Sequence, residues 1–350
     1  MQNQQAVMTA LNEMKIENCP MPEAKAGEVV IQICYVGICG SDMHFFRTGK
    51  IGKKVIESPF VLGHECAGIV YAVGSGVQGF AVGDRVTAEP GIPCGECDMC
   101  RKGHYNLCPD MRFMASPPNN GCMRRYMAYP ARMVFKLPDN VSLLHGAMIE
   151  PLAVGMYAAQ KGKIGLGKTA AILGGGPIGM MTLLACRAMG ACSIIVSDLF
   201  ENRLENARRL GAQAVICAAK EDTVEIIMEK TGGRGVDVVF ETAGNSTTLQ
   251  QGAQIAARNG VLVLVGNQTD KVPMDFMSMM TREVSIRTIY RYCNIFPIAI
   301  EALSAGSVDM SLICPKVFPF ERSEEAFQYT IEHGRDLIKS VIEINNPENA

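Results

Sequence analysis

The sequence predicts an α/β protein built from two unlike parts, a β-rich portion and a doubly wound parallel sheet. Three observations carry this. Residues 1 to about 150 show short apolar runs broken by Gly and Pro, at 28–36, 66–73 and 85–88, the pattern of β segments between turns. From about 158 onward, apolar strand-like runs recur at 169–173, 193–197, 214–217, 236–240, 261–265 and 285–289, spaced roughly 21 to 25 residues apart. Between them lie stretches of helical apolar spacing, such as 177–189 and 201–210. Strand, helix, strand at that period describes a parallel sheet whose strands are apolar throughout because helices cover both faces.

At 350 residues the chain suffices for about two domains with their own cores. Hydrophobic residues make up 48% and charged residues 19%, which excludes a disordered or fibrous class. With 33 Lys and Arg against 35 Asp and Glu, the formal charge of −2 offers no broad attraction to nucleic acid or anionic lipid. No apolar stretch approaches the roughly 20 residues of a membrane helix. The N-terminus lacks the basic and apolar regions of a secretory signal, so the expected compartment is the cytoplasm. In that reducing setting 14 cysteines read as metal ligands and buried thiols rather than disulfides.

The first strand of the alternating part runs into Gly174-Gly-Gly176-Pro177-Ile178-Gly179, a G-x-G-x-x-G turn that opens a helix. Gly174 permits the tight turn, Gly176 lets backbone approach a pyrophosphate, and Gly179 lets helix lie close to strand. The helix N-terminus supplies free N–H groups to the phosphates. Asp198, at the end of the next strand, would accept both ribose hydroxyls and repel a 2′-phosphate, so NAD is expected over NADP, although Arg203 stands nearby. The plainer alternative is an ordinary strand-to-helix turn with Asp198 as a solvated cap.

Cys94-x2-Cys97-x2-Cys100-x7-Cys108 gathers four thiols on one Gly- and Pro-containing loop, a closed ligand set suited to structural zinc. A nucleic-acid zinc ribbon would need a basic patch, and only Arg101, Lys102 and His104 lie near. A second set is dispersed: Cys39 in Gly37-Ile-Cys-Gly-Ser41-Asp42-Met-His44, then Gly63-His64-Glu65, then Glu150-Pro-Leu. A thiolate, an imidazole and carboxylates from separate loops are how an open catalytic zinc site is built, with zinc acidifying a bound alcohol. On spacing alone, Cys39 as a buried thiol and His64 as a structural histidine read equally well.

These motifs, in this order, resemble the zinc-containing medium-chain dehydrogenases over nearly the whole chain. The sequence is most similar to the sorbitol (L-iditol) and xylitol dehydrogenase branch. Glu150-Pro-Leu stands where classical alcohol dehydrogenases have a cysteine ligand, and Phe113-Met-Ala-Ser-Pro-Pro118, Lys136-Leu-Pro-Asp-Asn140 and Arg291-Tyr292-Cys-Asn294 also match.

The resemblance implies a GroES-like β-rich catalytic domain over 1–157 and 292–350, and a Rossmann coenzyme domain over 158–291. It implies Cys39, His64 and Glu65 as catalytic zinc ligands, with Glu150 ligating directly or holding the metal-bound water. Asp42 would orient His64. Ser41 would bond the alcohol, and His44 would pass its proton to solvent. Besides the glycine turn, Asp198 and Arg203, the cofactor contacts would include Thr242, Val265 and Arg291. Arg291, Tyr292, Phe113 and Thr48 would line the polyol pocket.

Two departures stand out: animal sorbitol dehydrogenases lack the full four-cysteine lobe, and Thr48 replaces an expected tyrosine, leaving the polyol open. The implied reaction is zinc-dependent oxidation of a polyol to a ketose with NAD. Oxidation of threonine, butanediol or a sugar phosphate is the nearest alternative, and a non-catalytic zinc- and nucleotide-binding relative a more distant one. The implied assembly is a homotetramer or homodimer joined through edges of the nucleotide-binding sheet.

Overall fold

The computed structural model describes residues 2–313 and 315–346. The chain divides into two compact units, one of residues 1–150, 296–304 and 314–350, the other of 151–295 and 305–313.

The first unit is organised around the strand Glu28–Gly37. Its apolar run includes fully buried Val29, Val30, Ile33 and Val36, so it lies inside a mixed seven-stranded sheet rather than at an edge. Along one side it pairs antiparallel with Glu65–Val73, which continues to Arg85–Ala88 and Val134–Lys136. Along the other side Tyr126–Pro130 pairs with its first half, and the C-terminal strand Ser340–Glu343 pairs with its end. Gly37 therefore has Glu65 opposite it on one flank and Val341 on the other. Phe45, Phe46, Met123, Phe318, Phe320 and Phe327 are among the side chains closing this unit's core.

The second unit holds a six-stranded, wholly parallel sheet. Its order is Ala214–Cys217, Ser193–Asp198, Thr169–Leu173, Val236–Glu241, Ala256–Leu264 and Ser285–Thr288. The order reverses at Thr169–Leu173, the place where such sheets open a crevice for a nucleotide. Ala171, Leu173, Ile216, Val239 and Leu262 pack its core. The fifth strand begins five residues before the expected apolar run. Ala256 pairs with Val236, and the backbone then slips through a positive-φ Asn259 before the apolar ladder resumes at Val261. The polar Arg258-Asn259-Gly260 step hid this start from periodicity.

Candidate active site

Cys39 ends the loop after the central strand and caps the helix Gly40–Thr48 from an extended conformation (φ −92°, ψ 157°). Asp42, fully buried in the first turn, organises the surroundings: it accepts from the Cys39 backbone N–H at 3.2 Å and the Gly63 N–H at 3.2 Å. Its Oδ2 lies 3.4 Å from His64 Nδ1, which leaves the other ring nitrogen free to face a metal. His64 is buried, and its ring packs 5.6 Å from that of Phe113.

Glu65 follows as the first residue of its strand and is completely buried. Lys339, just before the C-terminal strand, is itself only 4% exposed and is the one Lys or Arg among the buried charged residues described. Its Nζ donates to Glu65 Oε1 at 2.6 Å and to the Ile38 carbonyl at 2.9 Å, and lies 2.5 Å from Glu65 Oε2. That contact with Oε2 is ionic rather than an aligned hydrogen bond, and Oε2 accepts no other donor. Burial works against the Lys339 ammonium, but Glu65, Cys39 and Glu150 outweigh it and raise its pKa.

These side chains fit a metal. One donor atom each from Cys39, His64 and Glu65 lies within 4.8 Å of the others, and the buried Oε2 lacks a hydrogen-bond donor. Burial opposes a charged His64, yet Asp42 and Cys39 raise its pKa well above the ordinary value, so the cavity favours a cation. Soft thiolate, imidazole and carboxylate together suit zinc, and three ligands leave a position for substrate. Glu150 is buried at the start of the helix Ile149–Gly162 and stands outside this triplet, within electrostatic range of Lys339.

Three further expected residues of this unit lie on the helix that Cys39 caps. Ser41 is half-buried and His44 exposed, three residues apart on the same helix. The Thr48 hydroxyl turns back on the main chain, at 2.8 Å from the His44 carbonyl of its own helix and 3.0 Å from the Lys50 carbonyl just beyond it, and the residue is exposed.

The second cluster forms a lobe closed by the pairing of Gly91–Ile92 with Arg112–Phe113. Cys94, Cys97, Cys100 and Cys108 converge within 4.8 Å. Backbone N–H groups point at the sulfurs, from Cys97 to Cys94 Sγ at 3.3 Å and from Cys94 to Cys108 Sγ at 3.4 Å. Such N–H bonds bring the Cys94 thiol down to about 7. No described cysteine is in a disulfide. Four thiols converging on one point, with no other protein ligand needed, fit a closed zinc site.

In the second unit Gly174 adopts φ +114°, which an L side chain resists. A Cβ on Gly179 would sit 1.9 Å from the Gly174 carbonyl, so the helix Pro177–Ala188 approaches the strand as only glycine allows. Pro177 occupies the first helical turn, where Ile178 follows, and Gly176 is the cap. Asp198 Oδ2 accepts from Gly175 N–H at 2.7 Å and Oδ1 from Phe200 N–H at 2.9 Å, while Arg203 Nη1 lies 3.4 Å from Oδ2. Thr242 donates to the Gly174 carbonyl at 2.8 Å, and Val265 N–H bonds Glu241. The glycine turn, Asp198, Arg203 and Thr242 are thus gathered at the carboxyl ends of adjacent strands. Arg291 holds a left-handed φ of +55° with its guanidinium 4.9 Å from the Tyr290 ring, and Tyr292 is buried.

Three residues escaped sequence reasoning: Lys339, Gly37 and Glu89. Glu89 is 3% exposed and accepts from Tyr105 OH at 3.1 Å, and Tyr105 belongs to the cysteine lobe. Burial raises its carboxyl to about 7, against the Tyr105 bond and with help from Glu150. The available signal was a lone charge set in an apolar run, as in Leu337-Ile-Lys339-Ser-Val-Ile342.

Comparison with known proteins matches residues 25–139 to the alcohol dehydrogenase GroES-like domain and 177–305 to the zinc-binding dehydrogenase domain. An uncharacterized zinc-type alcohol dehydrogenase-like protein of Escherichia coli (strain K12) is 43% identical over 348 residues, 99% of this chain and 100% of that protein. Sorbitol dehydrogenase of Bacillus subtilis (strain 168) is 42% identical over 338 residues, 96% of each. A crystal structure of an Escherichia coli oxidoreductase/dehydrogenase of unknown specificity superposes with a TM-score of 0.95 at 42% identity, covering 99% of this chain and 100% of that one.

Proposed function

This chain belongs to the zinc-type alcohol dehydrogenase family, and on that premise we propose that it oxidises a secondary alcohol of a polyol such as sorbitol or xylitol to the ketose, with NAD as hydride acceptor. The carbinol carbon gives its hydride to the nicotinamide ring and the hydroxyl gives its proton to the protein, so NADH, a proton and a ketone leave. The observation that carries this is the convergence of Cys39, His64 and Glu65, a three-ligand set with room for one oxygen of the substrate.

Zinc held there would supply Lewis acidity that makes the alcohol easier to deprotonate. Ser41 takes the hydroxyl proton as it passes on its own, and the exit to solvent is His44, exposed one turn further along the helix, or Glu150. Asp42 fixes the tautomer and aim of His64. Asp198 selects NAD by accepting ribose hydroxyls, and the four-cysteine lobe holds a second, structural zinc. The assembly is a homo-oligomer joined through the exposed end strand Ser285–Thr288.

The test combines metal analysis with a panel of polyols, threonine, butanediol and sugar phosphates, each with NAD and NADP, following absorbance of the reduced cofactor. Two zinc per chain and NADH formation from polyols are expected. Full turnover after all metal is stripped, or no polyol turnover by zinc-loaded protein, rejects the reading.

A further inference from the structure

Lys339 and Glu65 form a buried ion pair across Gly37, and the sheet register explains why. Gly37 sits between Glu65 on one neighbouring strand and Val341 on the other, and Lys339 lies two residues before Val341. A Cβ on residue 37 would stand 2.0 Å from Glu65 Oε2 and 3.1 Å from Lys339 Cε. The missing side chain is the passage through which the ammonium reaches the carboxylate. The cation is also rigidly placed: its backbone carbonyl accepts from Lys316 N–H at 3.0 Å, its Nζ donates to the Ile38 carbonyl, and the Ile38 N–H returns to Ser340 at 3.0 Å.

Resting on the function proposed above, we infer that Lys339 is a positioning residue that makes Glu65 an exchangeable zinc ligand. The Cys39 thiolate and the Glu65 carboxylate together cancel the two charges of zinc. Lys339 returns one positive charge inside the same dry pocket, where a charge acts strongly. It shares the carboxylate's charge at 2.6 and 2.5 Å, so Glu65 donates more weakly to a metal and yields its place more readily to an incoming alcohol oxygen. The same positive charge favours ionisation of that alcohol.

Lys339→Gln tests this, because the amide retains donors for Ile38 and Glu65 while losing the charge. We expect zinc transfer from the Cys39 site to a chelator to slow about tenfold, the visible absorption of the cobalt(II)-loaded protein to change, and the acidic limb of the kcat/KM pH profile to move upward. Lys339→Arg keeps the charge and is expected to release zinc at close to the wild-type rate. Unchanged or faster release from folded K339Q, with unaltered cobalt absorption, overturns the inference.

If K339Q does not fold, the comparison moves to a background without the carboxylate charge. Adding Lys339→Met to Glu65→Gln is expected to leave zinc release at the Glu65→Gln rate, and a clear difference overturns action through Glu65. A wild-type protein lacking zinc at the Cys39, His64 and Glu65 site, or lacking alcohol turnover, defeats the function itself. A wild-type protein with both, beside an unaltered K339Q, defeats only this inference.

Discussion

Glu65 Oε2 lies where a side chain on residue 37 would have to begin: the distance from a Cβ built on Gly37 to that oxygen is 2.0 Å. Gly37 is in an ordinary strand, so its need for glycine comes from this approach and not from backbone conformation. Gly37→Ala must push the carboxylate out of the triplet it forms with Cys39 and His64. The expected result is loss of one zinc per chain on dialysis, with the four-cysteine site still filled, and a fall in kcat/KM of about tenfold or more. Zinc analysis by atomic emission checks it. Retention of both zinc ions with wild-type kinetics would show that Glu65 is not a ligand.

The four-cysteine lobe should behave differently. Cys100→Ser replaces one thiolate of a closed set that offers no place to substrate, so the loss is structural. We expect zinc content to drop by one, Tm to fall by about 5 °C or more, and KM for the alcohol to stay within about twofold of wild type in the folded fraction. A large KM change at unaltered Tm would assign the lobe a direct part in substrate binding.

At the nucleotide turn, Asp198 holds backbone N–H groups, and the proposed function gives it a selective task as well. Its two oxygens already accept Gly175 and Phe200 N–H groups, and a carboxylate keeps further lone pairs with which to accept ribose hydroxyls. Asp198→Ala should raise KM for NAD about 10- to 100-fold, the worth of hydrogen bonds to a charged acceptor. Its activity with NADP should rise at the same time, because Arg203 is released from Oδ2 to meet a 2′-phosphate. Parallel titrations with the two cofactors read this out, and an equal loss with both would leave only the structural task.

What the sequence made legible follows from how local each signal is. The parallel sheet showed because strands such as Thr169–Leu173 are apolar on both faces, and Gly174 to Gly179 showed because the turn's geometry is satisfied by neighbours in the chain. Cys94 to Cys108 likewise span one short loop. Cys39, His64 and Glu65 were legible only as fragments, and the assembled triplet depends on Asp42 bonding both Cys39 and Gly63. Lys339 stands 274 positions from its partner, and nothing in either segment announces the pairing, which arises from sheet register alone. The same is true of Gly37, whose constraint comes from an atom on another strand.

The end strand Ser285–Thr288 exposes Ile286, and the flanking chain exposes Phe276, Met277, Met280 and Tyr290, which are 54% to 70% exposed. An unpaired parallel edge with apolar neighbours is a surface for a second copy. Ile286→Lys should therefore shift the protein toward monomer in light scattering after size-exclusion chromatography, with the far-UV circular dichroism preserved. A wild-type protein already monomeric at micromolar concentration would remove this edge from consideration.

Glu89 is expected to make stability depend on pH. Burial raises its carboxyl from 4.5 to about 7, so the folded state holds this proton more tightly than the unfolded chain does. The contribution is fully present below the unfolded value and is lost as pH rises through about 7, a span worth about 3 kcal/mol. The wild type should accordingly lose stability between about pH 5 and pH 8, while Glu89→Gln, with an amide that never ionises and can still accept from Tyr105, should lose less over the same interval. Denaturant unfolding at the two pH values measures the difference. If wild type and E89Q decline in parallel, Glu89 titrates near its ordinary value, and neither its burial nor the nearby Glu150 charge contributes pH-dependent energy.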